Sequence, residues 1–277
     1  MTIKRLVTLA FVVLGSTLVV LSSSFAVLSS AAPGALVVVG GGDTNEAIVA
    51  RTLALAGGRN AIVAVLPQSS ELADAGDSSV EMWKKAGAKD ARKVLFNDRA
   101  AARRAIESAT LIWMPGGDQN RFMKEIAGTG LDDLIRARHA AGVVVGGTSA
   151  GAAILSKVML TGDADLKNVT AGATITAPGL GLWPDVIVDQ HFLKRQRGNR
   201  LISAVLDHPA LVGVGIDEST AVIVTGTRIE AIGKSAVLVI DARRASVPAA
   251  SGGAVSAGTG LAFHVLRSGM TLDLARP

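Results

Sequence analysis

Gly142-Val143-Val144-Val145-Gly146-Gly147-Thr148-Ser149-Ala150-Gly151 runs from an apolar segment into a group of small residues, and Ala152 to Ser156 continues it as a helix-compatible stretch. A short, unbroken apolar run is what a strand buried on both faces requires. Gly147 to Gly151 fits G-x-S-x-G, a pattern that makes a sharp strand-to-helix turn and leaves the serine hydroxyl exposed. Small neighbours let the backbone make that turn.

The same grammar extends upstream. Ala35–Gly40, Ala61–Leu66, Ala91–Phe96, Thr110–Met114 and Gly142–Gly146 read as buried strands. Pro67 stops the second of them, and Pro115-Gly116 the fourth. Helical stretches separate the strands. One starts near Asn45, one passes through Glu81, Trp83 and Lys84, one spans Arg99–Ser108, and one or two fill Asn120–Ala140. Strands alternating with helices are βαβ units. The expected fold is therefore α/β, a three-layer sandwich around a mainly parallel central sheet. Ligands of such sheets bind at the carboxyl ends of the strands, here after Gly40, Met114 and Gly146. Downstream the pattern turns β-rich. Val186–Asp189 and Val212–Ile216 read as strands, Thr220–Thr225, Ile229–Gly233 and Val237–Ile240 as a meander, and Leu261–Leu266 with Met270–Leu274 as a closing hairpin. Pro248–Gly260 reads as a flexible loop.

The first residues follow a different logic. Lys4 and Arg5 precede an apolar run, Leu6 to Leu21, and then small residues up to Ala32, which is the order of a secretory leader. Cleavage could follow Ala26, Ala31 or Ala32; with residues 1–32 as leader, residues 33–277 form one α/β domain, expected to be secreted or periplasmic with no stable membrane insertion. The alternative is an uncleaved anchor, for which the run is short and is interrupted by Gly15, Ser16 and Thr17. The formal net charge is +5, and two of those charges leave with the leader. So mild a balance, without a dense basic tract, gives no argument for a nucleic-acid partner, and none is expected. The chain has no cysteine, which removes thiol nucleophiles, disulfides and thiolate metal sites. The four histidines are scattered without the helical pair spacing of a zinc site, so neither a metal nor another cofactor is expected.

An activated serine needs a base, and the base a carboxylate that fixes its tautomer. Two sets compete. The first is Ser149, His191 and Glu218, in which His191 ends a strand in Asp189-Gln190-His191-Phe192 and Glu218 ends another in Gly215-Ile216-Asp217-Glu218. The second is Ser149, Asp241 and His264, the chain order of α/β-hydrolase esterases. His264, however, sits within an apparent hairpin strand, and Asp241 in what reads as a surface turn beside Arg243 and Arg244. His139 and His208 read as structural. Ala150, opening a helix after the serine, offers its N–H to an oxyanion. Gly117, in Pro115-Gly116-Gly117-Asp118-Gln119, lets the chain approach a substrate and donate a second N–H. Arg195, Arg197 and Arg200 follow His191, and Arg197 and Arg200 would share a helix face. They form either a carboxylate-gripping group or a solvated helix start.

These four segments, in this order, resemble cyanophycinases, and the likeness runs from about Leu36 to Asp241. The resemblance implies a fold similar to class I glutamine amidotransferases and a serine-peptidase family that includes aspartyl dipeptidase. It implies cyanophycin, or another aspartyl peptide, as substrate, β-aspartyl-arginine as product, and a homodimer. It implies Ser149 as nucleophile, His191 as base, Glu218 as orienting acid, and Gly117 and Ala150 as oxyanion donors. Gln119, Asp189, Gln190, Arg195, Arg197 and Arg200 would line the substrate pocket. Gly40-Gly41-Gly42-Asp43-Thr44-Asn45 departs from the pattern, which has Gly-Gly with acidic and lysine residues there. Related aspartyl or isoaspartyl peptidases, and a binding module that kept the fold without catalysis, are the remaining alternatives.

Overall fold

β1 (Leu36–Val39) shows why this chain is layered. Its four side chains are all buried, but Leu36 and Val38 enter one hydrophobic core and Val37 and Val39 another. Side chains alternate across a strand, so a wholly apolar one must be covered on both faces. The computed structural model describes residues 32–164 and 167–275. Apart from Ala32, the expected leader lies outside the described residues.

The central sheet has eight strands in the order β14-β11-β10-β1-β5-β4-β2-β3. Its parallel part consists of β1, β2 (Ile62–Val65), β3 (Asp90–Lys93), β4 (Leu111–Met114) and β5 (Val144–Thr148). β10 (Thr220–Thr225), β11 (Arg228–Gly233) and β14 (Thr271–Asp273) extend it with antiparallel pairings. On one face lie α1 (Glu46–Leu55) and α2 (Asp77–Lys85), through Ile48, Leu53 and Trp83. On the other lie α3 (Arg99–Ser108), α4 (Gln119–Ile126) and α5 (Leu131–Ala140), through Ile106, Phe122 and Ile135. Asn45, Asp98 and Asp118 cap α1, α3 and α4 by accepting N–H groups of the first turns, as their short polar side chains favour.

Beyond β5 come the short α6 (Ala150–Ala153) and a hairpin, β6 (Val158–Ala164) with β7 (Thr174–Pro178), that the apolar pattern did not announce. A second, four-stranded sheet follows the order β13-β12-β9-β8, with β8 (Val186–Gln190), β9 (Val212–Ile216), β12 (Val237–Asp241) and β13 (Ala262–Leu266). α7 (Gly198–Asp207) packs Leu201 and Val205 against this sheet.

Three expectations are corrected. The meander is split: β10 and β11 pair in the central sheet, while β12 crosses to β9. The closing strands form no hairpin: β13 pairs with β12, and β14 with β11. β5 also starts later and runs on through Gly146 and Gly147. A Cβ on Gly146 would lie 2.8 Å from the Val37 carbonyl oxygen, and one on Gly147 2.6 Å from that of Gly151. These glycines are strand residues because neighbouring backbone leaves no room for side chains.

Candidate active site

Ser149 is the residue between β5 and α6, at the carboxyl end of the central sheet. Its backbone is held at φ 54° and ψ −115°, a conformation unusual for any residue but glycine. Its N–H bonds the Val39 carbonyl at 3.0 Å, which ties the turn to the end of β1. The side chain is half-buried, and its Oγ lies 2.8 Å from Nε2 of His191.

His191 follows β8 directly, so it is delivered by the second sheet. It too has positive φ, 51°, and its N–H bonds the Gly40 carbonyl at 2.6 Å. Nδ1 lies 2.7 Å from Oε1 of Glu218. That contact makes Nδ1 the protonated nitrogen and leaves Nε2 free to accept the serine proton. Burial lowers the imidazole below its ordinary value of 6.5; the hydrogen bond to Glu218 opposes the shift, and the positive charge of Arg195 adds to it. The ring is therefore neutral, as a base must be, near neutral pH.

The two sheets meet at the glycines after β1. A Cβ on Gly41 would fall 2.3 Å from Cε1 of His191, and one on Gly42 3.0 Å from Cβ of Glu218. Ser219 N–H bonds the Gly41 carbonyl at 2.8 Å, and the Asn45 amide donates to the Ser219 carbonyl at 2.9 Å. The loop that departs from the cyanophycinase pattern is thus the bed of the histidine and its acid. Asp217 is a positioning residue that the sequence does not single out. Burial pushes its carboxyl up, but the Ser235 hydroxyl and the N–H groups of Lys194, Glu218 and Leu193 outweigh this and hold it below the usual range. In this way it pins the turn after His191. The glycine run was visible in the sequence; nothing near Asp217 marked its role.

Gly116 and Gly117 reach Ser149 from the end of β4. A Cβ on Gly116 would stand 3.3 Å from the serine Cβ. Gly117 has φ 138°, and the Ser69 carbonyl lies where its Cβ would be. That carbonyl accepts the Asp118 N–H at 2.7 Å, and among the described residues neither the Gly117 N–H nor the Ala150 N–H has a backbone acceptor.

The remaining residues divide. Asp189 and Arg200 are buried, and the guanidinium grips the carboxylate with two groups, Nε to Oδ2 at 2.9 Å and Nη2 to Oδ1. Burial pushes the Asp189 carboxyl up, and Arg200 pulls it back. Arg200 also donates to the Gly162 carbonyl at 3.2 Å. Buried Arg197 donates to the carbonyl and side-chain oxygens of Gln190, and burial together with Arg200 brings its guanidinium down to about 10. Gln119 is buried, with its amide on the Leu160 carbonyl. Arg200 and Asp189 therefore satisfy each other, which differs from an arginine open to substrate. α7 begins only at Gly198, because the turn before it, with Gln196 at φ 52°, keeps Arg197 outside the helix. Arg195 is the exposed member of the three.

Ser149 is not joined to the rival pair. His264 stands on β13 opposite Val239. Asp241 is the buried last residue of β12, not a surface turn, and Arg243 clasps its carboxylate. Among the described residues no group of three or more ligating side chains is gathered for a metal, and no helix is long and apolar enough to cross a membrane.

The profile of peptidase family S51 matches residues 36–232. A cyanophycinase of Geminocystis herdmanii is 39% identical over 243 residues, covering 84% of this chain and 89% of its own. One of Trichormus variabilis is 33% identical over 218 residues, covering 75% and 73%. The crystal structure of a peptidase from an acI-B1 Actinobacterium superposes with a TM-score of 0.65 at 19% identity, covering 88% of this chain and 98% of that one; this is a likeness of fold.

Proposed function

Because the chain belongs to peptidase family S51, we propose that it is an exported serine exopeptidase that cuts cyanophycin, a poly-aspartate backbone bearing arginine on each β-carboxyl, into β-aspartyl-arginine. The observation that carries this reading is the unbroken relay from Ser149 Oγ through His191 to Glu218, at 2.8 and 2.7 Å. In the reaction, Ser149 Oγ attacks the scissile carbonyl while Nε2 of His191 takes its proton. Glu218 steadies the imidazolium. The oxyanion forms against the N–H groups of Gly117 and Ala150, which have no backbone acceptor among the described residues. His191 then returns the proton to the departing amine, and water, activated by the same base, releases the acyl group. Exposed Arg195, beside the base, holds a substrate carboxylate. The leader-like first residues support export, and the relatives' printed names support the substrate.

The test is incubation of the purified protein with cyanophycin and identification of the products by mass spectrometry, with Ser149→Ala as control. Release of β-aspartyl-arginine by the wild type, lost by about 10⁴–10⁶ in kcat in the variant, is expected. Cleavage of short isoaspartyl peptides with the polymer left intact would replace this reading with that of an isoaspartyl peptidase. Equal activity of variant and wild type would remove Ser149 from the mechanism.

A further inference from the structure

A cleft of about 410 Å³ opens beside the nucleophile, between the Gly42–Thr44 loop and the start of α2, with Gly116 and Thr148 on its inner wall. Partly exposed Met82 and Pro115 are among its apolar lining residues, Ser70, Ser78 and Ser79 are among its polar ones, and Asp43 is the single charged residue of the lining. The Asp43 side chain is 68% exposed, and its ion pair with Lys234, at 3.9 Å, is long. Its loop is continuous with the catalytic group, since Gly42 packs on Glu218 and Gly41 on the His191 ring. The site is therefore bipolar, with Arg195 next to the base and a carboxylate at the mouth of the neighbouring cleft.

A lining that mixes apolar and small polar residues, with one exposed carboxylate, suits an alkyl stem that ends in a cation, because such side chains lay their methylenes on apolar surface and keep the charge toward water. We infer that this cleft receives the substrate's arginyl side chain, and that Asp43 selects it by charge. The inference rests on the peptidase reading of the same site. It gives the departing Gly40–Asn45 loop a role in choosing the substrate.

The experiment pairs two synthetic β-aspartyl oligomers, one carrying arginine and one carrying citrulline, its neutral isostere. Asp43→Asn should raise KM for the arginine oligomer roughly three- to tenfold, with the effect on KM exceeding that on kcat, as for a charge-assisted contact at a partly solvated mouth. Asp43→Lys should raise it further. Neither change should alter KM for the citrulline oligomer. Unchanged KM for arginine in both variants overturns the inference, and so does an equal change for both oligomers, which would mean that the loop had simply been disturbed. Equilibrium binding to Ser149→Ala, with and without Asp43→Asn, separates the two claims. Asp43-dependent binding of the arginine oligomer to an enzyme whose wild type cleaves neither oligomer would uphold the cleft and defeat the peptidase reading. Binding that ignores Asp43 would defeat the cleft whatever the turnover.

Discussion

At Ser149 and His191 the proposed chemistry rests on the backbone itself. Both have positive φ, and each N–H is anchored to the end of β1 or the glycine beyond it. Strain of this kind persists only where surrounding structure holds it. The histidine is lowered first by burial and further by Arg195, against the pull of Glu218. A lowered base stays unprotonated to lower pH, so the acid limb of kcat/KM should fall below the ordinary 6.5. Arg195→Gln removes a cation that disfavours the imidazolium. The pKa of His191 must then rise, and the acid limb should move to higher pH. A pH profile of the variant that superposes on the wild type, or moves the other way, would show that Arg195 does not act on the base. The Asp189–Arg200 pair has a different residue-scale consequence. Removing one partner of a buried pair strands the other charge, at a cost of about 3–5 kcal/mol. Arg200→Ala should lose stability on that scale in denaturant titration, and Asp189→Asn with Arg200→Met should lose less than the two single changes added together. A harmless Arg200→Ala would return that guanidinium to the substrate-binding role implied by the family resemblance.

Whole elements explain what the amino-acid pattern revealed and what it concealed. β1, β2, β4 and β9 were legible because each is a short apolar run bounded by glycine, proline or a polar turn. α3 was legible in full, since Asp98 caps it and Ala102 and Ile106 share its buried face. The relay of Ser149, His191 and Glu218 was readable only as one of two sets, because local pattern says nothing of which strand ends meet. Pairing is a long-range property: β12 is as apolar as β10, yet it leaves for the other sheet. The β6–β7 hairpin stayed hidden because Thr161, Gly162 and Asp163 interrupt its apolar pattern. The arginine segment reads two ways in the sequence, as a carboxylate-gripping group or a solvated helix start, because local pattern does not show that the carboxylate facing Arg200 is the buried Asp189. The glycine loop after β1 gives the prediction at this scale. Gly41 has φ 108°, and a methyl group there would overlap the His191 ring. Gly41→Ala should displace the base and reduce kcat by about 10² or more, since a misplacement near 1 Å costs that much. Far-ultraviolet circular dichroism should remain native. Full activity in a folded Gly41→Ala protein would mean that the ring is held by Glu218 alone.

For the molecule as a whole, the proposed catalytic group lies where two sheets meet, and the last segment of chain closes both. Ser149 comes from the central sheet and His191 from the second, so the proposed relay depends on their junction. β13 covers the edge of β12, and β14 covers the edge of β11. Leu266 is buried in the main core, with Leu272 and Leu274 packed against it, and the Arg243 side chain holds the Leu274 carbonyl at 2.7 Å. None of these residues falls within the span matched by the family profile, which ends at 232. A chain ending at Gly260 would keep the relay of Ser149, His191 and Glu218 but expose two strand edges at once. Unpaired edges template association with other chains, and the loss of Leu266, Leu272 and Leu274 uncovers apolar surface beside them. The truncated protein should aggregate on size-exclusion chromatography and lose activity through that loss of structure. Restoring residues 261–266 alone should cover β12 but leave β11 open, giving an intermediate Tm. A truncated chain that elutes without aggregation, with unchanged Tm and kcat/KM, would show that the junction is held by the segments before Gly260 and that the two closing strands are dispensable.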